Sequence, residues 1–293
     1  MSTERISRRF VDLDAWETSE ALDAMLEGQL SAIAAVRPAL TAIGRAVDEA
    51  AARLGETGRL VYLGAGTSGR IAVQDGAELT PTFDWPRERL VFAIAGGMGA
   101  LVASAEGAED DEAAARAAMD EAAVGPADVV IGVAASGATP YTIAGIARAR
   151  ETGALTIGIA NNRGARLLAA AEHAILLETG GELIAGSTRM KAGTAQKATL
   201  NLISTGIMLR LGRVYRGMMV NMRAANAKLR RRAEVIVAEI AGCGDDDARA
   251  ALARGEGDIK VASLVALGAE PEAARSRLAE CGGNLRLALA ALQ

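Results

Sequence analysis

The amino-acid sequence predicts an α/β fold: a five-stranded parallel sheet with helices on both faces, preceded by a helical arm and followed by a small helical subdomain. Three observations predict it. Five short apolar runs recur between residues 60 and 177, each of a length suited to a buried strand. Stretches of helical spacing separate them, and strands that alternate with helices form parallel sheets covered on both sides. The first run, LVYL, leads into Gly64, Gly66 and Gly69, with Thr67 and Ser68 between the last two. Glycines at that spacing let the chain turn tightly from strand to helix and let a ligand approach the backbone.

The elements follow in order. Residues 1–14 are polar and expected to be loose. From 15 to 54 the pattern is helical, with Leu22, Met25, Leu26 and Leu30 on one face and Ile33, Val36, Leu40 and Ile43 further along. Pro38 starts a second helix or kinks the first, because proline cannot donate to the preceding turn. Strands are expected at 60–63, 90–95, 129–134, 155–159 and 174–177. Helices are expected at 70–79, 100–123, 140–152 and 165–171. A long helix is expected from 188 to 211, capped by Ser187 or Thr188. Its later half is apolar on most faces, which suits a core or a subunit interface. Beyond 226 come short helical stretches bounded by Gly, Asp or Pro. The predicted division is therefore a helical arm over 1–54, a ligand-binding domain over 55–225 and a helical subdomain over 226–293.

Composition narrows the function. Aromatics make up 3% of the chain, which leaves little for stacking on bases. The net charge of −4 argues against a nucleic-acid or anionic-membrane partner. His173 is the one histidine, which speaks against a histidine zinc site or a Ser-His-Asp triad. Cys243 and Cys281 lack CxxC spacing and read as reduced structural thiols. No metal and no cofactor are expected. The first residues, MSTERISRRFVDLD, carry no apolar signal core, and no apolar run approaches the roughly 20 residues that span a bilayer. The expected location is cytoplasmic.

The chemistry is expected at the carboxyl ends of the strands, where open parallel sheets hold ligands. GAGTSG at 64–69 and AASGATP at 134–140 both pair glycine with hydroxyl residues. A helix start beyond such a loop offers free N–H groups and partial positive charge to a phosphate. The loop matches GxGxxG, yet no acidic residue closes the next strand, and the GKS or GKT of a P-loop is missing. It suits a sugar phosphate better than a dinucleotide. Without a second histidine, acid–base work falls to carboxylates, lysine or tyrosine. Glu78, if desolvated among its small and apolar neighbours, would keep its proton near neutral pH and serve as a general acid. Glu106, Glu109 and Asp110 stand at i, i+3, i+4 of the expected 100–123 helix, and spacing alone does not choose a base among them. Lys191 suits a phosphate or a substrate carboxylate equally well as an exposed helix position.

At these residues the chain resembles the N-acetylmuramic acid 6-phosphate etherases, members of the sugar isomerase (SIS) domain group. The resemblance rests on YLGAGTSGR at 62–70, the Asp75 to Glu78 segment with PTF at 81–83, EGAED at 106–110, AASGATPY at 134–141 and ELIAGSTRMKAGTAQK at 182–197. It is close over 59–230 and looser beyond. It implies cleavage of the D-lactyl ether of N-acetylmuramic acid 6-phosphate by elimination and hydration, with Glu78 as acid and Glu109 as base. It implies a homodimer that binds the phosphosugar through Gly66, Thr67, Ser68, Gly69, Ser136, Gly137, Ser187, Thr188 and Lys191. The group also includes the glucokinase regulatory protein, a non-enzymatic sensor of sugar phosphates. A sensor, or another sugar-phosphate isomerase, is thus the alternative reading. The chain departs from the family pattern at its N-terminal segment, at Leu79 and Thr80, and at Ala138, where arginine is frequent.

Overall fold

The computed structural model describes residues 2–103, 105–224 and 226–291. Five strands form one parallel sheet in the order β2-β1-β3-β4-β5. They are β1 (Leu60–Gly64), β2 (Leu90–Ile94), β3 (Val129–Val133), β4 (Leu155–Ala160) and β5 (His173–Leu176). β1, β3 and β4 are buried along their whole length, as the unbroken aliphatic runs require, whereas β2 and β5 are edge strands and partly exposed. The register sets Tyr62 beside Phe92 and Ile131, and Leu63 beside Ala93 and Gly132, so adjacent positions of β1 look to opposite faces.

Those two faces are covered differently. On the Leu63 face lie α5 (Glu112–Glu121), α6 (Pro140–Glu151) and α7 (Arg166–Ala170). Gly132 and Gly145 let α6 settle onto the sheet: a methyl group on either would lie 2.6 Å from Ile146 or Leu63 respectively. On the Tyr62 face lies α3 (Gly66–Ala77), where Gly76 leaves room for the stacked rings of Tyr62 and Phe92. Asp75 of α3 is buried and accepts hydrogen bonds from Tyr62 Oη (2.9 Å), Asn201 Nδ2 (2.6 Å) and Ser204 Oγ (3.1 Å). The last two belong to α8 (Lys191–Arg210), so this carboxylate joins the helix to the same face. Burial raises the Asp75 pKa, although its three donors and the nearby Lys197 charge pull the other way.

The N-terminal arm divides as Pro38 predicts. α1 (Thr18–Ala34) is followed by a 3₁₀ turn (Arg37–Ala39) and α2 (Leu40–Leu54). α2 buries Ile43, Ala46, Val47, Ala50 and Leu54. The stretch Thr18–Leu54 is long and apolar enough to cross a membrane by length and composition, contrary to the expectation that no such run exists. The turn at Pro38 breaks that stretch into α1 and α2, and its most apolar part is 33% buried, in part through α2.

Several expected boundaries move, each for a visible reason. α3 starts at Gly66 rather than residue 70, because Gly69 already donates to the Ala65 carbonyl (3.0 Å), and it stops at Ala77. The expected 100–123 helix is α5 alone, preceded by 3₁₀ turns at Met98–Leu101 and Ala108–Asp110; Ser104 lies outside the described residues. Gly107, at φ +73°, precedes the second turn, and Asp111 caps α5 by accepting from Ala114 N. α8 is capped by neither Ser187 nor Thr188. The buried Glu182 carboxylate accepts from Lys191 N and Ala192 N, both at 2.9 Å. Nor is the start of the chain loose throughout, because Thr3 is fully buried and bonded to Asn162.

The chain forms two compact units, Met1–Ala77 with Arg87–Gly206, and Glu78–Pro86 with Ile207–Gln293. The second unit holds α4 (Leu79–Phe83), α9 (Ala227–Ala241), α10 (Asp245–Arg254), α11 (Ile259–Ala266), α12 (Pro271–Glu280) and α13 (Leu285–Ala290). Val237, Ala248, Ile259, Leu264, Ala274 and Leu285 contribute to its core, and Cys243 and Cys281 pack against it as free thiols. Its buried Lys260 donates from Nζ to the Gly283 carbonyl, holding the turn between α12 and α13 (2.6 Å).

Burial, and then repulsion from Arg213, lowers the Lys260 pKa from 10.5 to about 8, with Asp258 opposing. The folded-state value lies below the unfolded one, so the unfolded chain binds more protons between those limits and stability rises with pH there. The free energy of unfolding is expected to gain about 2 kcal/mol between pH 7 and pH 10 from this group. Denaturant titrations of the wild type and Lys260→Met at both pH values check it: the difference between the two slopes should carry the gain.

Candidate functional site

The strand order reverses between β1 and β3. β1 is followed in sequence by β2 on one side, while β3 on its other side leads away to β4 and β5. A ligand crevice opens beyond the carboxyl ends of two such strands, because their connections leave in opposite directions. The segments that begin there are the two glycine–hydroxyl loops.

Beyond β1 the turn is shorter than GAGTSG suggests. Gly64 and Gly69 press backbone against backbone: a methyl group on Gly64 would lie 3.0 Å from Gly69 N and Cα. Only Ala65 separates β1 from the helix, and Gly66 to Gly69 are the first turn of α3. The leading N–H groups of an α-helix have no partner within it, so this turn presents donors and the positive end of the dipole at the crevice. Gly66 adopts φ +53°, a conformation costly to residues with a Cβ. It also faces Glu109: a methyl group on Gly66 would lie 2.8 Å from Glu109 Oε1. The carboxylate of Glu109 is therefore brought to the glycine turn, from the Ala108–Asp110 turn that follows β2. Glu106, Glu109 and Asp110 are all exposed, and Glu109 is the one whose carboxylate lies beside Gly66.

The hydroxyls of the turn differ. Thr67 is half-buried, and its Cγ2 lies 3.7 Å from where a methyl group on Gly193, in the first turn of α8, would sit. The same point is 3.4 Å from the Thr188 carbonyl, so Thr67 and the 187–191 segment share one neighbourhood. Ser68 is buried and donates from Oγ to Gln196 Oε1 (2.9 Å), so its hydroxyl proton is engaged within the protein. Lys191 donates from Nζ to the Gly181 carbonyl (3.0 Å) and is half-buried. Beyond β3, Ser136 accepts from Ala138 N (3.1 Å), and Gly137, at φ +64°, sits where a methyl group would strike Ala165 and Ala160.

Glu78 lies between α3 and α4 rather than on the helix expected to carry it, and it opens the second compact unit. Its side chain is exposed, so the desolvation expected for it is not present in the single chain. Asp75 has the buried, hydrogen-bonded environment instead, and it serves the packing of α3 and α8. The sequence reading missed Asn161, Asn162 and Gln196, three buried amides beside these loops. The one usable signal was a pair of asparagines directly after an apolar strand. The crevice thus combines a helix N-terminus, small residues and a carboxylate, a set suited to holding a phosphorylated polyol and moving protons.

The chain is similar to several known proteins. Residues 42–150 match the model of the glucokinase regulatory protein N-terminal SIS domain, and residues 108–205 match the SIS domain. An N-acetylmuramic acid 6-phosphate etherase of Deinococcus radiodurans is 47% identical over 288 residues, which are 98% of this chain and 94% of the relative. One of Streptomyces coelicolor is 47% identical over 293 residues, 99% of this chain and 94% of the relative. Among solved structures, a phosphoheptose isomerase from Francisella tularensis superposes with a TM-score of 0.46 at 14% identity, over 65% of this chain and 96% of that one.

Proposed function

The chain belongs to the N-acetylmuramic acid 6-phosphate etherase family, and we propose that it cleaves the D-lactyl ether of N-acetylmuramic acid 6-phosphate to N-acetylglucosamine 6-phosphate and D-lactate. The observation that carries this is likeness to the family along almost the whole chain, joined to a crevice whose acid–base groups are carboxylates. The reading places the enzyme in the cytoplasm, in catabolism and recycling of cell-wall amino sugars, with no metal or cofactor in its chemistry.

The proposed reaction runs as elimination and hydration. With the sugar ring open, the C1 aldehyde acidifies the C2 proton. Glu109 removes that proton, and electrons move into a C2–C3 double bond as the lactyl oxygen leaves C3. Glu78 protonates the departing oxygen, a role it takes from the resemblance of its segment to the family. Water then adds at C3 and a proton returns to C2. Its position beside Gly66 supports Glu109 as base, since the N–H groups of the same turn suit the phosphosugar. In this reading Gly66, Thr67 and Gly69 line the turn after β1, and Ser136 and Gly137 the loop after β3. Ser187, Thr188 and Lys191 complete the site. Ser68 contributes its backbone and holds the turn through Gln196.

The reading includes a homodimer. Leu22, Leu26, Leu30 and Ile33 of α1 are 48–65% exposed and form one stripe at helical spacing. Leu40 and Leu202 beside it are also exposed, and Ile33, Leu40 and Leu202 line one groove of about 580 Å³. A contiguous apolar face of this kind marks an interface, and a second copy of the chain is the occupant favoured here.

Three outcomes are expected. Glu109→Gln should lower D-lactate release from N-acetylmuramic acid 6-phosphate by at least about 10³-fold, while circular dichroism stays unchanged. Gly66→Ala should also lose most activity, because its methyl group displaces that carboxylate. Unchanged release by both variants would remove Glu109 from the mechanism. Leu26→Asp with Leu30→Asp should convert a dimer to a monomer by light scattering, and a wild type that is already monomeric would exclude the dimer.

A further inference from the structure

The strands that lead into the two ligand loops pair directly as far as Gly64 and Val133. Beyond that pairing the loops are linked through a buried amide cluster at the end of β4. Ser68, in the turn after β1, donates to Gln196 Oε1, and Gln196 Nε2 donates to Asn161 Oδ1, both at 2.9 Å. Asn161 Nδ2 then donates to the Leu177 carbonyl (3.2 Å). The other loop is held by both asparagines: Asn161 N donates to the Ala135 carbonyl (3.0 Å), and the Asn162 side chain adds to it. Its Nδ2 donates to the Ala135 carbonyl (3.0 Å), one residue before Ser136, and to Thr3 Oγ1 (3.1 Å). Its Oδ1 accepts from Ser2 N (2.7 Å) and more distantly from Thr3 N (3.4 Å). The Thr3 carbonyl in turn accepts from Gly186 N (3.2 Å), next to Ser187.

Thr3, Asn161, Asn162 and Gln196 are each no more than 5% exposed, and each has partners for its polar groups. Fully satisfied amides in a core cost desolvation that an aliphatic cluster of the same volume would not, so they are poorly explained by stability alone. What they provide is direction: each bond fixes the separation of two backbone segments. Three segments meet here, namely the turn after β1, the loop after β3 and the stretch before α8. All three carry residues of the reading above.

We propose that Asn161 and Asn162 are positioning residues that set the spacing of the phosphosugar loops, with the Ser2–Thr3 segment as the strap that extends this control to residues 186–188. This rests on the phosphosugar reading of the crevice but not on the elimination chemistry. Neither asparagine touches substrate. Each acts through a backbone carbonyl or through Gln196, so its loss moves the loops and weakens ligand binding before it alters proton transfer.

Asn162→Asp keeps the acceptor for Ser2 and Thr3 and removes the donors to Ala135 and Thr3. In the full-length protein it should weaken binding of N-acetylglucosamine 6-phosphate, measured by calorimetry, about tenfold, and raise KM for N-acetylmuramic acid 6-phosphate alike, with kcat within about twofold of wild type. Thr3→Val, a milder change, should move affinity in the same direction, and Thr3→Ser should restore it. Unchanged affinity in Asn162→Asp, or equal affinity in Thr3→Val and Thr3→Ser, would overturn the proposal. So would a fall in kcat with KM unchanged. If Asn162→Asp does not fold, the Thr3 pair decides alone. A wild type that binds N-acetylglucosamine 6-phosphate but releases no lactate would sink the etherase reading and leave this test intact. A wild type that does not bind it would overturn both.

Discussion

The close approach of Gly64 to Gly69 is the constraint on which the site depends. Backbone meets backbone there so closely that even a methyl group on Gly64 would crowd Gly69 N and Cα at 3.0 Å. That contact lets α3 begin one residue after β1 and aims its first N–H groups at the crevice instead of into a long loop. Gly66, at the start of the same helix, lies beside the Glu109 carboxylate from the turn after β2. The strand reversal between β1 and β3 does the rest, because it sets the 134–139 loop alongside. The same helix is then locked from behind by Asp75, whose carboxylate joins β1, α3 and α8.

The proposed acid–base roles of carboxylates fit where the histidine lies. His173 opens the edge strand β5, where its Nε2 is 3.0 Å from Glu49 Oε2 of α2. β3 and β4 lie between that strand and β1, and His173 begins its strand whereas the crevice lies where strands end. A carboxylate at a helix N-terminus is a base with phosphate-binding donors beside it, which is an economical arrangement for an α-proton next to a carbonyl.

The five strands were legible because buried parallel strands are continuous aliphatic runs, and each begins or ends within a residue or so of the expectation. The break at Pro38 was legible for the same kind of local reason. The start of α3 was not, since glycines at 66 and 69 read as a loop, and only contact with β1 makes them helical. The alanine-rich 100–123 stretch misled in the opposite sense: its propensity favours helix, and Gly107 with the Asp111 cap divides it. The cap of α8 was hidden because Glu182 lies nine residues before Lys191 and returns through a turn. In the site, the glycine–hydroxyl loops and the candidate carboxylates could be read from residue types. The inward commitment of Ser68 and the amides that hold it could not, because their partners are distant in sequence.

The central claim of the proposed function is that the C3–oxygen bond of the sugar breaks by elimination, with a proton removed from C2 and later returned to it. Running the wild-type reaction in D₂O containing ¹⁸O-water tests it most directly, with products read by mass spectrometry. Elimination and hydration require deuterium at C2 of N-acetylglucosamine 6-phosphate and ¹⁸O at C3, with D-lactate keeping its original oxygen. A sugar that retains its C2 proton, or lactate that gains ¹⁸O, would mean that the ether is broken by another route and would contradict the account.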